Sequence, residues 1–176
     1  IGIVYLLLQG GWGFYGQGGA LFLDHVYDYG VSEIGLFYAL MGLATAVASI
    51  TLQPKLFANY SNSNIFIQAA IVLGVGAILV GTVDAQSGQW LLAVILSVSQ
   101  LLCYTALLTM ISSAVSDKEQ GKAMGAAGAG FGLAWFLNDI MMGHLSSVTP
   151  ATPITFGGGM FFIAVIIFVF ATKVMN

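Results

Sequence analysis

Charge is what this sequence has least of. Only 6% of its 176 residues are charged, whereas 59% are hydrophobic. In an ordinary soluble domain about 25% of residues are charged, and no aqueous fold would bury this much apolar surface. The composition therefore predicts a chain that folds in a lipid bilayer.

Other scarce residue types exclude further classes of protein. Arginine is absent, and the net charge of −3 argues against a nucleic-acid partner. The single cysteine, Cys103, cannot form an internal disulfide, and with two distant histidines it provides no metal-ligand spacing. The Asn-Pro-Ala segments of an aquaporin-like channel are also missing. We expect neither an enzyme nor a cofactor or metal.

Long stretches without charge predict an all-α membrane protein of six transmembrane helices. A helix needs ~20 apolar residues to cross a ~30 Å hydrocarbon core, where it satisfies its own backbone hydrogen bonds. Five stretches reach this length unaided, and a sixth does so only if Asp139 lies inside the membrane. Pro54 is expected to end the second helix. The predicted helices, in one domain, cover about residues 1–23, 34–52, 65–83, 90–114, 123–145 and 154–172.

The lysines predict the orientation of the chain. With six spans, Lys55, Lys118, Lys122 and Lys173 all fall on one side of the membrane. The positive-inside rule makes this side cytoplasmic, so both chain ends face the cytoplasm. We expect a multi-pass protein of the plasma (cytoplasmic) membrane. Because residue 1 already lies inside a span, we also expect the chain to be a fragment.

Polar residues recur on one face of the first and of the fourth predicted helix, at steps of three and four residues. Glutamine is poorly accommodated by lipid, so these faces should meet a neighbouring helix or a water-filled cavity. Hydrogen bonding between helices without a substrate is the alternative. The substrate-cavity candidates are Tyr5, Gln9, Trp12 and Gln17 in the first helix and Ser97, Gln100 and Tyr104 in the fourth.

The fifth predicted helix combines a glycine face with the one charge inside a span. Gly121, Gly125, Gly128 and Gly132 follow steps of four and three residues, a spacing that lets two helices approach closely. Asp139 continues this face, and a carboxylate in the membrane requires a partner, water or a proton. It is the candidate for proton coupling, and the alternative is a structural pair with a basic residue of a neighbouring protein.

Several short motifs occur in the order typical of one family of transporters. They are Leu-Phe-Leu at 21–23, Val-Ser-Glu-Ile-Gly-Leu at 31–36 and Ser-Asp-Lys-Glu-Gln-Gly-Lys-Ala-Met-Gly at 116–125. In their order and spacing the chain resembles the C-terminal half of a major facilitator superfamily transporter. It is most similar to the drug:proton antiporter branch, which includes the tetracycline-resistance exporters. Two departures are the loop at 52–60, which lacks the family's acidic and arginine-rich pattern, and residues 138–143, which lack a Gly-Pro.

The resemblance implies a fold of three plus three helices. The first and fourth helices would line a cavity, the second and fifth would pack against the other half, and the third and sixth would lie outside. It also implies alternating-access transport of a small molecule, with proton-coupled export, and a partner that is either an N-terminal half or a second copy of the chain. The alternatives are a facilitative or uptake permease, and a half-size protein that associates without transporting.

Overall fold

The computed structural model describes residues 1–175, and over this range the chain contains helices and no strands. The prediction of an all-α chain is confirmed for these residues. Each predicted segment corresponds to a helix, and the boundaries differ by a few residues except at the end of the second. The helices are α1 (Gly2–Tyr27), α2 (Val31–Asn59), α3 (Asn62–Val80), α4 (Gln86–Ser113), α5 (Gln120–Ser146) and α6 (Thr152–Met175).

Four of these helices are long and apolar enough to cross a membrane, namely α2, α3, α4 and the part of α6 from Thr152 to Lys173. They mark the chain as a membrane protein. The helices α1 and α5 are similarly long, at 26 and 27 residues. Their many glycines, together with glutamines in α1 and Asn138 and Asp139 in α5, lower the hydropathy of a membrane-length stretch in both helices.

The prediction that Pro54 ends the second helix is wrong, because α2 continues to Asn59. Proline lacks an N–H and so removes one backbone hydrogen bond, but here the turns on either side of it still form. After the helix ends, Ser61 caps α3 by accepting a hydrogen bond from the backbone N–H of Asn64, at 3.3 Å. The polar turn that separates the two helices is therefore only Tyr60 and Ser61.

The helices pack in a pattern that repeats after three. The most extensive contacts of α1 are with α5 and α6, those of α4 are with α2 and α3, and α3 also packs against α6. Exchanging each helix with the one three positions along the chain leaves this set of contacts unchanged. The six helices are therefore arranged as two similar units of three.

Glycine allows the closest of these helix crossings. A Cβ atom on Gly11 of α1 would lie 2.8 Å from the carbonyl oxygen of Gly157 in α6, and one on Gly157 would lie 2.6 Å from that of Gly11. Neither position has room for a side chain, so the two backbones meet directly. The face of α1 that contains Gly11 therefore packs against α6. Gln9 and Trp12 lie on another face of α1 and contribute to the site described below.

The helices α2 and α5 are the least buried. In each, only three residues are buried within the chain, and large apolar side chains such as Ile50 and Phe136 are exposed. Exposed apolar surface of this kind is suited to contact with lipid or with another protein in the membrane.

At one end of the bundle, Tyr27, Tyr29, Gln89 and Trp90 form a cluster that we call the Gln89 clasp. The buried Gln89 amide donates to the carbonyl oxygens of Val80 and Val83, at 2.9 and 2.8 Å, and lies 3.1 Å from the hydroxyl of Tyr27. The indole of Trp90 donates to the hydroxyl of Tyr29 at 2.9 Å. The clasp joins the end of α1 to the end of α3 and the start of α4.

Candidate functional site

A cavity of about 350 Å³ lies between α1 and α4 and is flanked by α2 and α5. Five of the seven residues that the sequence suggested for a substrate cavity line it. The complete lining is Gln9, Trp12, Thr45, Ser97, Gln100, Leu101, Tyr104, Phe131 and Trp135.

The cavity is at the middle of the helices that surround it. Thr45 is the central residue of α2, and Gln100 lies at the centre of α4. Trp12 and Trp135 are within three residues of the midpoints of α1 and α5. In a helix that crosses a bilayer, this position is near the midplane, where water is scarcest.

Several residues that line this cavity carry a polar atom without a partner. Across the described residues, four buried side-chain atoms lack a hydrogen-bond partner, and three of them belong to cavity residues: Nε2 of Gln9, Oε1 of Gln100 and Nε1 of Trp135. An unpartnered buried polar group costs about 1–3 kcal/mol, so each one in a native structure calls for an explanation. The residues that line the cavity thus hold two donors and one acceptor whose hydrogen bonds are unmade within the described chain, each of them almost fully buried.

The two aliphatic hydroxyl groups of the cavity, those of Ser97 and Thr45, have hydrogen-bond partners, unlike these amides and the indole. Ser97 donates to the carbonyl oxygen of Val94 at 3.0 Å, and Thr45 donates to that of Met41 at 2.8 Å. A short side chain can reach back to its own helix, whereas a glutamine or tryptophan needs a partner farther away. The longer groups are therefore the ones left free.

Aromatic rings make up much of the remaining wall. The rings of Phe131 and Trp135 are 5.2 Å apart on α5, and Trp12 is 5.2 Å from Tyr15 on α1. No lysine or carboxylate lines the cavity. The chemistry that it offers is hydrogen bonding and stacking with a small, largely apolar molecule.

Tyr5, the sixth candidate, lies at the edge of this cavity. Its ring is 6.3 Å from that of Tyr104, which lines the cavity. Tyr5 itself lines a second, more apolar cavity of about 360 Å³ that extends towards residue 1 between α1, α4 and α5. The two tyrosines therefore stand between the central cavity and one end of the bundle.

Gln17, the seventh candidate, is outside the cavity and pairs with Asp139. Its Nε2 donates to Oδ1 of Asp139 at 2.8 Å, which links α1 to α5. One residue earlier on α5, the buried Asn138 donates to the carbonyl oxygen of Gly10 at 2.9 Å. A Cβ on Gly13 would collide with Nδ2 of Asn138, so a side chain at this position would displace that amide. Asn138 and Asp139, two adjacent polar residues of α5, are thus both hydrogen-bonded to α1.

The four glycines predicted to pack against another helix have no such neighbour within the described chain. A Cβ atom on Gly121, Gly125, Gly128 or Gly132 would find nothing within 4 Å. Among the glycines of α5, Gly130 is the one with a neighbour on α1, since a Cβ there would lie 3.3 Å from Leu6. Packing of the four glycines against a further protein stays a prediction.

Sequence reasoning missed part of the site. Thr45, Leu101 and Phe131 carry no pattern that separates them from ordinary apolar helix residues. Trp135 follows the predicted glycine face, and only the packing of α5 on α1 brings it to the cavity. Asn138 had a recognisable signal, since an amide in an apolar helix needs a hydrogen-bond partner.

Comparison with known proteins finds no family that matches the chain and no curated protein that is similar to it.

Proposed function

We propose that this chain is one half of a secondary transporter, which moves a small molecule across the membrane by alternating access and exports it in exchange for protons. The observation that carries the proposal is the central cavity, in which three unpartnered polar atoms and several aromatic rings meet at the middle of four helices. A binding site near the midplane of the bilayer is typical of secondary transporters.

The helix packing supports a transporter fold. Two similar units of three helices are present, and all six helices are long enough to span a bilayer. If each helix crosses once, three crossings per unit make the second unit inverted relative to the first, as in many carriers. The proposal therefore includes six spans, cytoplasmic termini and the fold of a major facilitator half, located in the plasma membrane.

The lining of the cavity suggests the kind of substrate. Without a basic residue in the wall, an anionic substrate would lack a charge partner in this half, whereas an apolar or aromatic molecule with one or two hydrogen-bonding groups would fit it. The natural substrate class in this proposal is therefore a small aromatic or amphipathic compound.

The exposed faces of α2 and α5 suggest how the carrier is completed. Their large apolar side chains and the open glycines of α5 are available to a second six-helix unit. In the proposal this unit is an N-terminal half or a second copy of the chain, and the cavity lies between the two.

Transport is tested in proteoliposomes with a panel of labelled neutral, cationic and anionic aromatic compounds, with and without a pH gradient. We expect gradient-dependent movement of at least one compound, and we expect Asp139→Asn to abolish the effect of the gradient. The control is Asp84→Asn, which makes the same chemical change outside the helices. Movement that is equal with and without the gradient would favour a facilitative permease, and movement of no compound would contradict transport.

A half-size protein that associates without transporting is the second candidate function. The observation that favours it is the open glycine face of α5. Replacing Gly125 and Gly128 with leucine would then dissociate the assembly in detergent, as measured by light scattering, while the same protein would move no compound in liposomes.

A further inference from the structure

The contact between Gln17 and Asp139 uses only one end of the Gln17 side-chain amide. Nε2 of Gln17 already donates to Oδ1 of Asp139, at 2.8 Å. The other end of the same amide, Oε1, is buried and has no partner among the described residues. An acceptor is therefore unused beside a carboxyl group that is, when ionised, unable to donate.

Protonation of Asp139 changes what this pair can form. A carboxylic acid has one O–H donor and keeps an acceptor oxygen. An acid and an amide can then join through two parallel hydrogen bonds, N–H to C=O and O–H to C=O, which close a planar ring. For this pair, the present bond from Nε2 to Oδ1 would be kept, and the acid O–H would donate to Oε1.

We infer that Gln17 is the positioning residue that recognises protonated Asp139, by forming this two-bond acid–amide pair. The inference rests on the proposed function, in which Asp139 binds and releases the coupling proton. The carboxylate takes one proton from water on one side of the membrane and returns one to water on the other, so no other group is consumed. Gln17 keeps α1 in contact with α5 in both charge states.

The Asp139 side chain is exposed, and among the described residues Gln17 is the one whose side chain hydrogen-bonds to it. The one salt bridge among the described residues joins His25 to Asp24, nearly two turns beyond Gln17 on α1. On α5, His144 is five residues beyond Asp139, which turns it by about 140° to another face. From α2, the hydroxyl of Tyr38 donates to the carbonyl oxygen of Gly16 and not to the carboxyl group.

The test is infrared difference spectroscopy of the reconstituted protein during a pH titration, which needs no substrate. The C=O stretching band of protonated Asp139 is identified by its loss in Asp139→Asn. We expect this band at the low wavenumber of a doubly hydrogen-bonded acid, and we expect Gln17→Met to shift it to higher wavenumber. Gln68→Met is the matched control, because Gln68 is exposed on α3.

Two results would overturn the inference. One is an Asp139 band at the same wavenumber in the natural protein and in Gln17→Met, and the other is the absence of any Asp139 band across the titration. Gln17→Asn provides a second variant, since it keeps the amide but is one methylene too short, and circular dichroism verifies the helix content of both. The spectra do not depend on transport. If the protein moves no compound but the band still shifts in Gln17→Met, the proposed function is wrong and the acid–amide pair is supported.

Discussion

Two regions of this molecule, the Gln89 clasp and the central cavity, contain buried glutamine amides and differ in how far their hydrogen bonds are satisfied. In the Gln89 clasp, the glutamine amide donates to two carbonyl oxygens, and neighbouring tyrosine and tryptophan groups are also bonded. In the central cavity, Gln9, Gln100 and Trp135 each keep a polar atom without a partner. Both regions are built from glutamine and aromatic residues, so residue type alone does not separate them.

The difference shows that a buried amide can serve either stability or binding, depending on whether its hydrogen bonds are satisfied within the chain. A satisfied amide stabilises the junction of helix ends, because removing it would leave buried carbonyl oxygens unpaired. An unsatisfied amide costs stability, and a protein gains from keeping it only where a ligand or a moving helix completes its hydrogen bonds. Four predictions test this comparison, in order of decreasing expected effect.

The largest effect is expected from Gln89→Leu in the clasp. The change leaves the carbonyl oxygen of Val80 without its side-chain donor and removes one of the two donors to that of Val83. We expect a loss of roughly 2 to 3 kcal/mol in the free energy of unfolding. Thermal unfolding in detergent measures it, and a melting temperature equal to that of the natural protein would show that the clasp is not stabilising.

Gln100→Leu makes the same change in the cavity. There we expect ligand binding to be affected and stability to be spared. Because Oε1 of Gln100 has no partner, its loss leaves no partner atom unpaired. We expect the free energy of unfolding to stay the same or to rise, because an unsatisfied buried acceptor is removed, and the binding of the transported compound to weaken about tenfold. Binding is followed by tryptophan fluorescence in a Trp90→Phe background, where Trp12 and Trp135 are the remaining tryptophans. Unchanged affinity would remove Gln100 from the site.

A smaller effect is expected from Trp135→Phe, which keeps an aromatic ring and removes one N–H donor. The loss of one neutral hydrogen bond to the ligand corresponds to about 1 kcal/mol, or roughly fivefold in affinity. Trp90→Phe is its counterpart in the clasp, since there the indole already donates to Tyr29. That variant should lower stability by a similar amount and leave transport unchanged, and reversed results for the two variants would refute the comparison.

The smallest effect is expected from Gly132→Ala. This variant extends the comparison to the side of α5 that has no neighbour in the described chain and the side that packs against α1. A Cβ at Gly132 meets nothing within 4 Å, so alanine should raise the stability of this chain by about 0.5 to 1 kcal/mol through its higher helix propensity. Gly13→Ala is the contrasting variant, because its Cβ would collide with Asn138. Calorimetry compares the two, and destabilisation by Gly132→Ala would indicate that another protein packs there.

Much of the fold could be predicted because charge and hydropathy act locally. A long apolar stretch has few alternatives to a helix in lipid, and all six predicted segments are helical. The end of α2 was predicted wrongly, since Pro54 removes a single hydrogen bond and the turns around it still form. Local rules indicate where a helix can end but not whether the flanking turns compensate.

The site could be predicted only in part, because a helix face is visible in a sequence and its neighbour is not. The spacing of Gln9, Trp12, Ser97, Gln100 and Tyr104 identified two polar faces, and these lie around one cavity. The position of Trp135 on the cavity and the pairing of Gln17 with Asp139 depend on how α5 lies across α1. Residues more than a hundred positions apart carry no shared local pattern.

By itself, the sequence determined a helical membrane protein with polar faces on its first and fourth helices, because the free energy of burying charge and backbone in lipid depends on composition and spacing. The tertiary structure decided which buried amides are satisfied. The Gln89 amide is within reach of carbonyl oxygens at the end of α3, whereas those of Gln9 and Gln100 face a cavity between helices. A hydrogen bond requires its two atoms to be within about 3 Å, and only the packed chain sets that distance.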